Sequence, residues 1–281
     1  MSSRAETTSR GRLLKLTIIL AVLGPLFICG RAAHAQDKQP PSARKFDEFG
    51  DIQMSDLKAR LDNFAIALQG EPATRGFIIV YRSRRDLPGL SSRLALRAKD
   101  YMVNSRGAPK ERVVTVDGGP AECLTHELWV VDPGAAPKPR ADAYSRTFIP
   151  TESALKFDEL YYPVLSDPQG DDEAETGISS DVLEAFASAL RSHPRTQAYI
   201  IAYKQHQADR RSDAPGVARQ MLSTVRGDLI KAYGVAPSRI KVVDGGYRTL
   251  RGVELWIVPR GVHAPVATPN AFPRSRRAGL R

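Results

Sequence analysis

The sequence predicts an α/β (α+β) fold: two tandem β-α-β-α-β-β modules, each a mixed sheet with helices packed against it. Three observations predict it. Six sequence blocks recur in the same order in two halves of the chain. Apolar residues at helical spacing recur within those blocks. Short, β-branched apolar runs alternate with them and end near glycine-rich turns.

The elements follow in order. Lys45-Phe46-Asp47-Glu48-Phe49 returns as Lys156-Phe157-Asp158-Glu159-Leu160 and opens each module as a strand. Leu57, Leu61, Phe64, Ala65 and Leu68 share one helical stripe, as do Leu183, Phe186, Ala187 and Leu190. Ser55 and Ser180 stand where N-caps belong. Pro72 and Pro194 then interrupt the chain at the same offset. Phe77-Ile78-Ile79-Val80-Tyr81 and Tyr199-Ile200-Ile201-Ala202-Tyr203 are apolar throughout, the pattern of central strands buried on both faces. Second helices are expected over about residues 90–105 and 215–233, with Gly107 and Gly234 at their C-terminal caps. Next come strands running into Asp117-Gly118-Gly119 and Asp244-Gly245-Gly246, where aspartate and glycine predict a turn. Glu127-Leu128-Trp129-Val130-Val131 and Glu254-Leu255-Trp256-Ile257-Val258 close the modules.

The segments around the modules differ in composition. Residues 1–35 have a basic start (Arg4, Arg10, Arg12, Lys15), an apolar run from Leu16 to Cys29, and Ala33-His34-Ala35. That is the pattern of a cleaved signal peptide, too short to span a bilayer, and it predicts a periplasmic or secreted protein. Cys29 as a lipidated residue is the alternative, against which Ile28 stands where a small residue is expected. The expected partition is signal peptide 1–35, linker 36–44, first module 45–133, Pro/Ala-rich linker 134–155, second module 156–260 and a basic, unstructured tail 261–281. Residues 167–177 are an acidic insertion whose spacing fits no calcium loop, so a solvated loop is expected.

Charge and cysteine narrow the function classes. The net charge is +10, but the signal segment supplies +4 and the last fourteen residues another +4, leaving +2 between them. No domain-wide basic footprint exists, which argues against a nucleic-acid partner. With Cys29 removed, Cys123 has no partner for an internal disulfide.

The modules resemble the OmpA-like C-terminal domain, a peptidoglycan-associating module of the cell envelope. The second copy carries the likeness best, through Phe157-Asp158, Tyr199 to Tyr203, Tyr233-Gly234-Val235, Arg239-Ile240, Gly246-Tyr247 and Val253-Glu254-Leu255. The resemblance implies two peptidoglycan-binding domains in tandem, with an aspartate after the second strand and an arginine on the following helix holding the ligand. Here those places carry Arg82-Ser83 and Lys204-Gln205, and Leu90-Ser91-x-x-Leu94-Ala95 has leucine where the arginine belongs. Leu222-Ser223-x-x-Arg226 retains it. A cation in place of an ammonium-binding carboxylate turns attraction into repulsion, about 1 kcal/mol each way at ~4 Å even in water. The candidate ligand-binding residues are therefore Arg82, Arg84, Arg85, Arg93 and Arg97 in the first module and Lys204, His206, Arg210, Arg211 and Arg226 in the second. They suit an anionic envelope polymer; an envelope protein is the other partner class, and a solvated basic loop the plainer reading.

No catalytic constellation stands out, and the expectation is a non-enzymatic chain without cofactor or metal. His126, His193, His206 and His263 are scattered, and no nucleophile elbow or phosphate loop is present. Cys123 with His126 has no counterpart in the second copy. Asp117 and Asp244 are expected as turn formers. Glu127 and Glu254 are expected to face solvent or make cross-strand ion pairs, and Trp129 and Trp256 to anchor cores rather than line a sugar site.

Overall fold

The computed structural model describes residues 40–138, 140, 152–162, 180–206 and 212–271. The signal segment, Arg210, Arg211, the acidic insertion and the last ten residues lie outside them. Residues from Pro41 onward form one compact unit.

The fold is α/β. The first module runs β1 (Ala43–Phe49), α1 (Met54–Gly70), β2 (Arg75–Ser83), α2 (Gly89–Asp100), β3 (Val113–Ala121) and β4 (Thr125–Val131). The second runs β5 (Leu155–Tyr162), α3 (Ser180–Ser192), β6 (Thr196–Gln205), α4 (Gly216–Lys231), β7 (Ile240–Arg248) and β8 (Arg251–Pro259). Each makes a four-stranded sheet, ordered β1-β4-β2-β3 and β5-β8-β6-β7. In each, one pair is parallel and the other two are antiparallel.

Strand alternation sorts side chains onto two faces. Ile78, Val80, Leu128 and Val130 meet Phe64, Leu68, Ala95 and Met102 of the helices. Ile200, Ala202, Leu255 and Ile257 do the same with Phe186, Leu190, Leu222 and Leu229. The Lys-Phe-Asp block holds a bulge in both sheets, between Lys45 and Asp47 and between Lys156 and Asp158. The extra residue turns Phe46 onto Phe64, ring centres 5.3 Å apart, and Phe157 onto Phe186 at 5.5 Å.

Two local expectations are corrected, at the α1 cap and at the Asp-Gly-Gly blocks, and one, the second helix of module one, is refined. The cap position of α1 is Gln53 rather than Ser55. The second helix of module one closes through a π-helical turn over Tyr101–Ser105 before Gly107, whose φ is +67°. The Asp-Gly-Gly blocks are not turns between strands but bulges inside β3 and β7, where the parallel register shifts. Their glycines have separate reasons. A Cβ on Gly118 would fall 2.5 Å from the Tyr81 ring, and one on Gly245 2.4 Å from Tyr203. Gly119 and Gly246 take φ of +81° and +85°.

The recurring arginine before β3 and β7 acts as a helix cap. Arg112 donates to the carbonyls of Leu68, Glu71 and Thr74, and Arg239 to those of Leu190, His193 and Thr196. A cation there satisfies the orphan carbonyls at the ends of α1 and α3. The modules pack through α2: Leu96 joins the second core, and the Arg93 guanidinium meets Asp158 at 3.1 Å.

Candidate functional site

The sheet face away from the helices holds the same polar network twice. Glu127 is wholly buried at the centre of β4 and Glu254 is 3 % exposed on β8. Lys45 on neighbouring β1 donates to Glu127 at 2.7 Å, and Lys156 on β5 reaches Glu254 at 2.8 Å. The neighbouring indoles donate as well, Trp129 at 2.9 Å and Trp256 at 3.0 Å. Tyr203 donates to Glu254 at 3.1 Å, and Tyr81 approaches Glu127 at 3.5 Å. Of the two expectations for these glutamates, the cross-strand ion pair holds and the solvent-facing position does not.

A second cation completes each network from a different source. In the second module Arg248 of β7 pairs with Glu254 at 2.9 Å and stacks over Tyr203, 3.4 Å from the ring centre. In the first module Arg140 lies 3.8 Å from Glu127, 2.6 Å from Glu48 and 5.5 Å from the Tyr81 ring. Burial opposes ionisation of Glu254, but hydrogen bonds from Lys156, Trp256 and Arg248 outweigh it and hold the carboxyl below its ordinary range. Burial likewise opposes the charge on Lys156, and its bonds to Glu159 and Glu254 raise it nonetheless.

Each network is covered by the chain that leaves the sheet. After β4, the amide of Ala135 donates to the Asp132 carbonyl across a turn with Gly134 at φ +89°. After β8, Val262 does the same to Pro259 with Gly261 at +85°. Glycine third in a four-residue turn gives the type II geometry. The chain then returns over the sheet, where the Arg140 amide approaches the Tyr81 hydroxyl at 3.4 Å and the Thr268 amide donates to Tyr203 at 3.1 Å. Residues 134–138 of the expected linker and 261–271 of the expected tail thus extend the repeat. The one signal in the sequence was Pro-Gly after Trp129 and Arg-Gly after Trp256, at equal spacing.

The basic residues picked out by the resemblance are not gathered into one site. Arg82 and Lys204 sit at corresponding ends of β2 and β6, on the helix side. Lys204 is buried and donates to both oxygens of Asp244, at 2.8 and 2.7 Å. Arg82 is buried and its Nε finds no hydrogen-bond partner among the described residues; Asp117 accepts from Ser91 at 2.6 Å while its charge still acts on Arg82. Arg84 and Arg85 are exposed on the following turn and Arg226 on α4. Arg93 is committed to Asp158 and lines, with Arg97, a cleft of about 350 Å³ between α1, α2 and α3. That cleft also carries Asp100, Asp181 and Glu184, so it presents no single sign of charge. His206 faces Ser212 through Nδ1 at 2.5 Å. The thiol of Cys123 lies beside Thr125, while His126 is buried against Phe49, so the two form no dyad. Among the described residues no group of three or more His, Cys, Asp or Glu could hold a metal, and no helix is long and apolar enough to cross a membrane.

Fold and site together define a two-module α/β protein whose sheets each bury a Glu-Lys-Tyr-Trp network. No protein-family model and no curated protein matches the chain. A solved structure to which it is similar is a cyanuric acid hydrolase from A. caulinodans, with 14 % identity over 80 % of this chain and 69 % of that one and a TM-score of 0.24. The OmpA-like resemblance is corrected: no family model supports such a domain in this chain. The physical reason is that the motifs quoted for it are strand cores, helix stripes and bulge glycines, which report packing rather than ancestry. The expectation of a non-enzymatic chain stands against a hydrolase neighbour and is not carried forward. At that TM-score the likeness transfers no activity, substrate or residue role.

Proposed function

We propose that this chain is an exported cell-envelope protein whose paired modules act as a protein-interaction scaffold. One observation carries the reading. Two of the cations expected to meet an anionic polymer, Lys204 and Arg93, are consumed by Asp244 and Asp158, while each sheet's polar face engages an extended polypeptide segment. A cation already paired with a carboxylate has little left to offer a ligand, because that pair must be broken first. Export is supported by the composition of residues 1–35.

Association with an anionic envelope polymer such as peptidoglycan is the second reading, favoured by the Arg82 Nε, which has no hydrogen-bond partner among the described residues. Co-sedimentation with purified peptidoglycan at low and high salt separates the two. The scaffold reading expects no salt-sensitive pelleting. It also expects discrete protein adducts in the envelope from a photo-crosslinker at exposed Val242. Pelleting that salt abolishes, without adducts, overturns it in favour of the polymer.

A further inference from the structure

We infer that the face of the second sheet away from its helices is a binding site for an extended, Thr-Pro-Asn-containing peptide of a partner protein, and that residues 265–271 occupy it in cis. The inference rests on the scaffold reading above and names the chemistry of the partner. The arm itself displays what the site selects. The Thr268 amide donates to the Tyr203 hydroxyl, and the Thr268 carbonyl accepts from Arg248 Nε at 3.1 Å. The Thr268 hydroxyl meets the same guanidinium. Pro269 lies over Gly246, where a Cβ would come within 3.3 Å of it. The Asn270 side chain accepts from the Thr249 amide at 2.9 Å, and the Asn270 and Ala271 amides both point at the Tyr247 carbonyl at the end of edge strand β7. Main-chain bonds to a sheet edge with side-chain pockets beside them are how sheets recognise extended peptides.

Two features make the occupant exchangeable. Thr268, Pro269 and Asn270 remain exposed, and Val266 is 81 % exposed, so the arm lies on the face rather than in a core. The described arm is anchored by hydrogen bonds to this face, and its cation, Arg248, belongs to the sheet and stays when the arm leaves. The first module is built the other way: its covering segment leads from β4 to β5 and itself supplies Arg140 to Glu48 and Glu127. Removing that strap would leave the network one cation short, so it is a fixed part of the fold. A tethered arm competes at high effective concentration, which lowers the apparent affinity of any partner peptide by the fraction of time the face is open.

The test uses the whole chain and a fluorescent peptide of residues 262–271, read by anisotropy. The double change Thr268→Pro and Asn270→Ala, at exposed arm positions, removes the amide donor to Tyr203 and the acceptor for Thr249. It is expected to bind the peptide at least tenfold more tightly than the unaltered chain. Tyr203→Phe in that background, or the same two changes made in the peptide, is expected to return binding to the unaltered level. The peptide-side change needs no altered protein to fold. Equal binding by both chains, no binding to the double variant, or binding indifferent to the peptide changes overturns the site. If envelope adducts at Val242 still form in that case, the scaffold reading stands and this peptide site falls.

Discussion

The two modules share a backbone frame and differ in where their charges are balanced. In each, the buried glutamate, its cross-strand lysine, the indole and the tyrosine occupy the same register. The second cation is strap-borne in the first module and sheet-borne in the second. At the end of the parallel pair the contrast reverses. Lys204 is paired with both oxygens of Asp244, whereas the Arg82 Nε has no hydrogen-bond partner among the described residues and Asp117 accepts from the serines of α2. Duplication has therefore conserved what a buried carboxylate requires, hydrogen bonds and an opposite charge, without conserving which segment supplies it.

The largest test of that contrast removes the shared lysine. Lys45→Met is expected to cost about 3 kcal/mol in urea unfolding, because Glu127 is then left with Arg140 at 3.8 Å. Lys156→Met should cost about half as much, since Arg248 remains 2.9 Å from Glu254. Equal losses would remove the distinction between strap-borne and sheet-borne cations. Next come the paired ends of β2 and β6. Lys204→Met should destabilise by roughly 1–2 kcal/mol, the Asp244 partner being half exposed. Arg82→Met should change stability by less than about 0.5 kcal/mol, because the loss of its attraction to Asp117 and Asp86 is offset by removal of a buried Nε without a hydrogen bond among the described residues.

Gly261→Ala places a side chain at φ +85° with nothing near it, so only backbone strain of about 1 kcal/mol is expected. Its readout is faster proteolysis of the arm at an unchanged unfolding midpoint. The smallest effect is a pH slope. Burial holds His126 below its ordinary value of 6.5, so it stays neutral in the fold while the unfolded chain takes up a proton. Its contribution is complete above about pH 6.5 and is lost as pH falls below it. The second module has Val253 at the matching register position. His126→Val should flatten the stability slope between pH 5 and 7, and a slope left unchanged would assign it to other groups.

Element type and order were legible from the repeat because strands and helices answer to local periodicity. Leu61, Phe64 and Leu68 could be placed on one buried stripe from spacing alone, and they are buried. The Asp-Gly-Gly blocks were misread as turns because a bulge uses the same residues. What distinguishes them is the tyrosine ring on the preceding strand, across a whole helix in sequence, which no local pattern reports. The basic residues were legible as charges but not as partners. Nothing near Arg93 in the chain points to Asp158, sixty-five residues on.

The sequence by itself determined the modular duplication, the faces of the helices and the apolar course of the central strands, because these follow from periods of 3.6 and 2. Only the tertiary structure decided that Glu127 and Glu254 are buried, which cations neutralise them, and that the segments after β4 and β8 lie across their own sheets. Charge balance depends on distances between residues far apart in the chain, and a sequence specifies those only once the sheet has brought its strands together.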